Sequence, residues 1–175
     1  MRRAMVILTA VLVSVVLVAP QASAQPEARG GGHPRPTLGT GSFEGAGSWE
    51  LGTRCAFAWE VVNGSFEGSR PGRADDGTFT FDYCVTFTSP THTFGFDGTF
   101  TLETKPGVLL TGSLSGGIHL DPMGSPIDIT LTVEESSGTP RPIRGTITLT
   151  GTRTEPGDGT YSSTLWGAYT ADLTA

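Results

Sequence analysis

The chain has 175 residues, 37% of them hydrophobic, and its 17 acidic residues outnumber 11 basic ones to give a formal net charge of −6. That length supplies one domain with a real core, and an acidic chain without a basic cluster gives phosphates nothing to dock on, which excludes nucleic acid as an expected partner. Basic charge is almost all arginine, with Lys105 the single lysine, a bias that points to a GC-rich bacterial genome.

Met1-Arg2-Arg3 precedes an uncharged run from Ala4 to Ala19, followed by Pro20 and the triplet Ala22-Ser23-Ala24. A basic end, an apolar centre and an A-x-A site predict a secretory signal peptide over residues 1–24, cut after Ala24, and hence a secreted, extracellular protein. The run is shorter than the ~20 residues a helix needs to cross a bilayer, so no membrane span is expected after cleavage. Loss of Arg2 and Arg3 takes the formal charge to −8. Residues 25–38 are Pro, Gly, Arg and His with almost no apolar side chain, which predicts a disordered leader with His33 as a solvated residue. Residues 39–175 then form a single β domain.

Beyond Gly39 no twelve-residue segment has helical periodicity, whereas alternation with period two recurs throughout. From Gly77 to Thr88, Phe79, Phe81, Tyr83, Val85 and Phe87 share one face, and Thr78, Thr80, Asp82, Cys84 and Thr86 share the other. Similar patterns hold for Phe94, Phe96, Phe100 and Leu102; for Val108, Leu110 and Leu114; for Ile127, Ile129, Leu131 and Val133; for Ile143, Ile147 and Leu149; and for Tyr161, Leu165, Tyr169 and Leu173. Turn signals such as Arg70-Pro71-Gly72, Lys105-Pro106-Gly107 and Ser137-Gly138-Thr139-Pro140 divide the domain into about eight strands: 40–50, 53–62, 77–88, 93–104, 108–119, 126–134, 143–154 and 160–173. Short connections permit only antiparallel neighbours. The predicted fold is therefore all-β, an eight-stranded antiparallel meander closing into a small barrel, with a β-sandwich as the alternative.

The pentapeptide Gly41-Ser42-Phe43-Glu44-Gly45 recurs unchanged as Gly64-Ser65-Phe66-Glu67-Gly68. Glycine lets a strand bend, and the Phe two places on is expected to point inward. The stretch Gly39-Thr40-Gly41-Ser42-Phe43-Glu44-Gly45-Ala46-Gly47 resembles the GTG-x-F-x-GA-x-G stretch of small exported β-barrel proteins of the allene-oxide-cyclase and dirigent-like type, and is similar to segments of secreted proteins of high-GC bacteria. The resemblance covers nine residues; it implies a barrel and assigns no functional residue.

Cys55 and Cys84 are the only cysteines, and in an exported chain they are expected to pair as a disulfide. Placed directly across an antiparallel pair, they set Ala58 against Phe81 and Glu60 against Phe79, with residues 63–76 as the connecting loop and Asn63-Gly64 as a tight turn. Phe57 and Trp59 then face away from the core. A β-bulge that returns them inside is the expectation, since large exposed apolar strips are uncommon; left outside, they mark a partner surface.

Chemistry-bearing residues are few. His92 reads as a solvated loop residue, His119 with Asp121 falls short of a metal site, and Asp75-Asp76-Gly77 and Asp158-Gly159 read as turns. No metal or cofactor is implied. Glu60 is the carboxylate of interest, inside on the disulfide register and on the outer face after a bulge. The functional expectation is a non-catalytic exported protein that binds a small apolar ligand, a glycan or a protein, with Trp49, Phe57, Trp59, Glu60 and Trp166 as candidate contacts. A structural envelope-associated protein without a pocket is the alternative. A barrel isomerase comes third and requires Glu60 or His119 to face a cavity.

Overall fold

A computed structural model describes residues 39–52, 54–70, 73–89, 93–119, 125–155 and 161–175. Residues 1–38, where a signal peptide and a leader with His33 are expected, and His92, Asp121 and Asp158-Gly159 lie outside the described residues.

The described residues form eight strands: β1 (Thr40–Leu51), β2 (Ala58–Arg70), β3 (Arg73–Ser89), β4 (Thr93–Thr104), β5 (Leu109–His119), β6 (Ser125–Ser137), β7 (Arg144–Thr154) and β8 (Ser162–Thr174). Each pairs antiparallel with the next, and β8 returns to β1, so the meander closes into a barrel without a free edge. Alternation places Phe43, Val62, Phe66, Phe79, Phe81, Tyr83, Phe100 and the aliphatic residues of β5 to β8 in one continuous core. The outer wall carries threonines and mid-strand carboxylates such as Asp82, Asp97 and Asp128, where a lipid-facing wall carries an apolar band.

Rings fill this narrow interior because small residues oppose them. Gly64 stands opposite Phe79, and Gly98 opposite Tyr83; a Cβ on Gly64 would lie 2.4 Å from the Phe79 ring. The middle of the barrel is closed by Phe43, Phe66, Phe79, Phe81 and Tyr169, which leave a void of about 20 Å³.

The disulfide forms between Cys55 and Cys84, with Cα atoms 5.5 Å apart, but it is not a cross-strand pair. Cys55 sits in the segment between β1 and β2, and the true partner of Cys84 on β2 is Trp59. The β2–β3 register is thus shifted four residues from the one a direct disulfide pairing predicts, setting Ala58 against Val85, Glu60 against Tyr83 and Val62 against Phe81. An even shift preserves which side chains face in. Residues 63–70 and 73–76 are strand, not loop: β2 and β3 stay paired as far as Arg70 and Arg73, and Asn63-Gly64 lies mid-strand because Gly64 makes room for Phe79. Asp75 and Asp76 likewise belong to β3.

No bulge interrupts β2 against β3, so Trp59 faces outward. Its indole Nε1 donates to Asp82 Oδ1 at 2.6 Å, and the Arg54 guanidinium lies 4.1 Å from the ring centre. Bulges occur instead near Phe87 and Thr111. Phe87 and Tyr161, expected in the core by alternation, are 55% and 59% exposed because they stand where their strands reach the end of the barrel.

Candidate functional site

Alternation along β2 points Ala58, Glu60 and Val62 inward, which carries a carboxylate to a position with no solvent exposure. Such a burial demands partners, and two other strands supply them. On β7, the inward series Ile147, Leu149 and Gly151 ends in Arg153; on β8, the inward series Tyr169, Gly167 and Leu165 ends in Ser163. Arg153 Nη2 donates to both oxygens of Glu60 at 3.2 and 3.3 Å, and Ser163 Oγ donates to Glu60 Oε1. Arg153 Nη1 donates to Glu155 Oε1.

The geometry depends on the strand between them. Gly47 of β1 is paired with Val62 on one side and Ser163 on the other. A Cβ there would lie 2.6 Å from the Val62 side chain and 3.2 Å from Ser163 Oγ. The missing side chain lets β2 and β8 bond across β1.

Tyr83, opposite Glu60, completes the group. Its phenol is held well above the ordinary value of 10.0, first by burial and then by the Glu60 charge, with Arg153 opposing. For Arg153, burial pulls the other way, but Glu60 and Glu155 more than offset it and raise its affinity for the proton. The guanidinium is therefore a fixed cation between two carboxylates.

Above this charged group the barrel opens into a cavity of about 190 Å³. Trp49, Phe57, Phe94 and Phe96 supply aromatic wall, Ala58, Val85 and Ile118 aliphatic wall, and Glu60, Arg153 and Glu155 the polar part. Phe57 arrives from the segment preceding β2, which begins at the left-handed Gly52 (φ 65°) and closes with a hydrogen bond from Gly52 N to Phe57 O. The disulfide two residues earlier straps that segment to β3, and the Phe57 ring rests on Phe94 at 5.2 Å. Among the described residues, Leu51, Phe57, Phe87 and Tyr161 are the large apolar residues left exposed at this end of the barrel.

Of the five contacts expected from sequence, Trp49, Phe57 and Glu60 meet at this cavity. Trp59 lies on the outer wall, and Trp166 stands on the outside of β8 beside Glu44, 54% exposed. His119 also points outward, its Nδ1 3.4 Å from Thr93 Oγ1. Among the described residues no group of three or more His, Cys, Asp or Glu side chains is placed to hold a metal ion. Arg153, Ser163 and Gly47 were not singled out from sequence, although extending the alternation of β7 and β8 to the strand ends finds the first two.

No protein-family model matches the chain, and no curated protein or solved structure matches it.

Proposed function

We propose that this protein is an exported, non-catalytic binding protein that holds a small, largely apolar molecule in the barrel mouth. The observation that carries the reading is the cavity itself: an apolar cup of about 190 Å³ in a barrel whose middle is otherwise filled, with a buried Glu60–Arg153 pair as its floor. A dry cavity of about 150 Å³ takes up a benzene-sized guest, so the volume suits one ring or a short branched chain. The disulfide is compatible with an oxidising compartment, and the N-terminal pattern supports export with cleavage after Ala24. N-terminal sequencing of the secreted protein should begin at Gln25.

Calorimetry with single-ring and branched aliphatic compounds tests the reading. Dissociation constants below about 1 mM are expected for part of the panel, and Ala58→Leu, which fills the cavity from its wall, should abolish binding. Trp59→Ala and Trp166→Ala should leave it unchanged, since both rings are outside. No binding by any compound, or binding that survives Ala58→Leu, overturns the reading.

A second reading, catalysis on the bound molecule, draws on Glu60 lining the cavity. Both Glu60 oxygens already accept hydrogen bonds from Arg153 and Ser163, which favours a structural floor over a working base. Turnover of a bound compound, lost in Glu60→Gln protein that still folds, would reverse that preference.

A further inference from the structure

The charges lining the mouth cavity do not cancel. Among the described residues Arg153 is its single cation, and the side chains it pairs with are carboxylates, Glu60 below and Glu155 at the opening. Counted formally over the described residues, the lining carries one excess negative charge. That excess lies toward solvent, because the Glu155 side chain is 45% exposed while Glu60 is wholly enclosed. Four aromatic rings, Trp49, Phe57, Phe94 and Phe96, share the same wall.

Aromatic faces are electron-rich and attract cations placed over them, most strongly where water is excluded. The hydrogen-bonding inventory narrows the kind of cation. A primary ammonium brings three N–H donors that need acceptors; Glu60 already accepts from Arg153 and Ser163 on the floor, which leaves Glu155 at the opening as the main carboxylate to serve them. A fully alkylated ammonium brings none. An anion is disfavoured because it confronts Glu155 at the opening; the two terminal nitrogens of Arg153 are held by carboxylates, and among the described residues only its buried Nε has no partner. The acidic chain, with a formal net charge of −6, adds attraction at longer range.

We infer that the ligand of the mouth cavity is a small organic cation of the quaternary ammonium class, its alkyl groups among the four rings and its charge facing Glu155. The inference rests on the reading of the cavity as a ligand site and names the chemistry that site selects.

Three near-isosteric probes separate the cases on the intact, disulfide-bonded protein: choline, its neutral carbon analogue 3,3-dimethylbutan-1-ol, and the anion 3,3-dimethylbutanoate. Choline should bind about two- to thirtyfold tighter than the alcohol, the range expected of cation–π attraction, and the anion weakest of the three. Added salt should weaken choline and spare the alcohol. Glu155→Gln, a change at a partly exposed position, should narrow the gap in affinity between choline and the alcohol. Equal or tighter binding of the alcohol, or a choline affinity indifferent to Glu155→Gln, overturns the inference. If the alcohol binds and choline does not, the cavity remains a ligand site and the cation assignment falls. If none of the three binds and the wider apolar panel also fails, both fall together.

Discussion

Ser163 of β8 donates a hydrogen bond to Glu60 of β2 across the intervening strand, through the space left by Gly47. The bond joins residues 103 apart in sequence and closes the barrel on its inside as the β8–β1 ladder closes it on its wall.

Gly47 is therefore a position where bulk acts on the polar floor. Gly47→Val should destabilise the protein by about 1–3 kcal/mol through overpacking against Val62 and Ser163. Ala46→Val, one residue away on the outer face, should change stability by less than about 0.5 kcal/mol. Urea denaturation of the two variants checks the contrast.

The buried pair should be strongly non-additive. Arg153→Met leaves the Glu60 carboxylate enclosed without its cation, at a cost of about 3–5 kcal/mol. The double replacement Glu60→Leu with Arg153→Met removes both charges and should recover much of that loss. A double-mutant cycle that comes out additive contradicts the mutual dependence drawn from the geometry.

Removing the disulfide should cost stability and loosen the cavity wall. The bridge spans 29 residues, which corresponds to about 3–4 kcal/mol on the chain-entropy account. Cys55→Ser with Cys84→Ser should lower the unfolding free energy obtained from urea denaturation by that amount without loss of the barrel, because Cys55 lies outside the strand ladder. Increased acrylamide quenching of Trp49 in the variant would report the release of the Phe57 segment.

Alkaline pH should destabilise the fold through Tyr83 and, less strongly, Tyr169, whose phenol is also raised by burial and by Asp75. As pH rises past 10.0, the unfolded chain releases these protons while the folded protein keeps them. The unfolded state then binds fewer protons, and stability falls with pH. The contribution is complete below 10.0 and disappears as the folded phenols ionise. Tyr83→Phe should flatten the decline in midpoint measured from pH 9 upward, about one unit below the ordinary tyrosine pKa.

The architecture was legible from the sequence because inward and outward positions survive errors of register. Anchoring the Cys55–Cys84 pair directly across the ladder misplaced β2 by four residues, yet Ala58, Glu60 and Val62 still face in, since four is even. What alternation cannot show is where a strand meets the end of the barrel, so Phe87 and Tyr161 continue the inward pattern and stand at the opening. Phe57 was ambiguous for a related reason: it belongs to the connection, whose path follows from the disulfide strap and the left-handed Gly52. The floor needed three strands at once, and no local pattern links Glu60 to Arg153 or to Ser163, which lie 93 and 103 residues away. Trp166 and Trp59, selected as aromatic anchors, alternate outward with their neighbours, and that parity was readable in advance.

The two copies of Gly-Ser-Phe-Glu-Gly pair with each other head to tail around Phe43 and Phe66, so this part of β1 and β2 is its own complement. Any molecule of this protein presents to a second molecule the template it presents to itself. Within one chain the sister segment is tethered nearby, at an effective concentration of roughly millimolar, and the hairpin closes on itself. During refolding of concentrated protein, exchange of β1 between molecules reproduces the same contacts in the same register, and an intertwined dimer is the natural by-product.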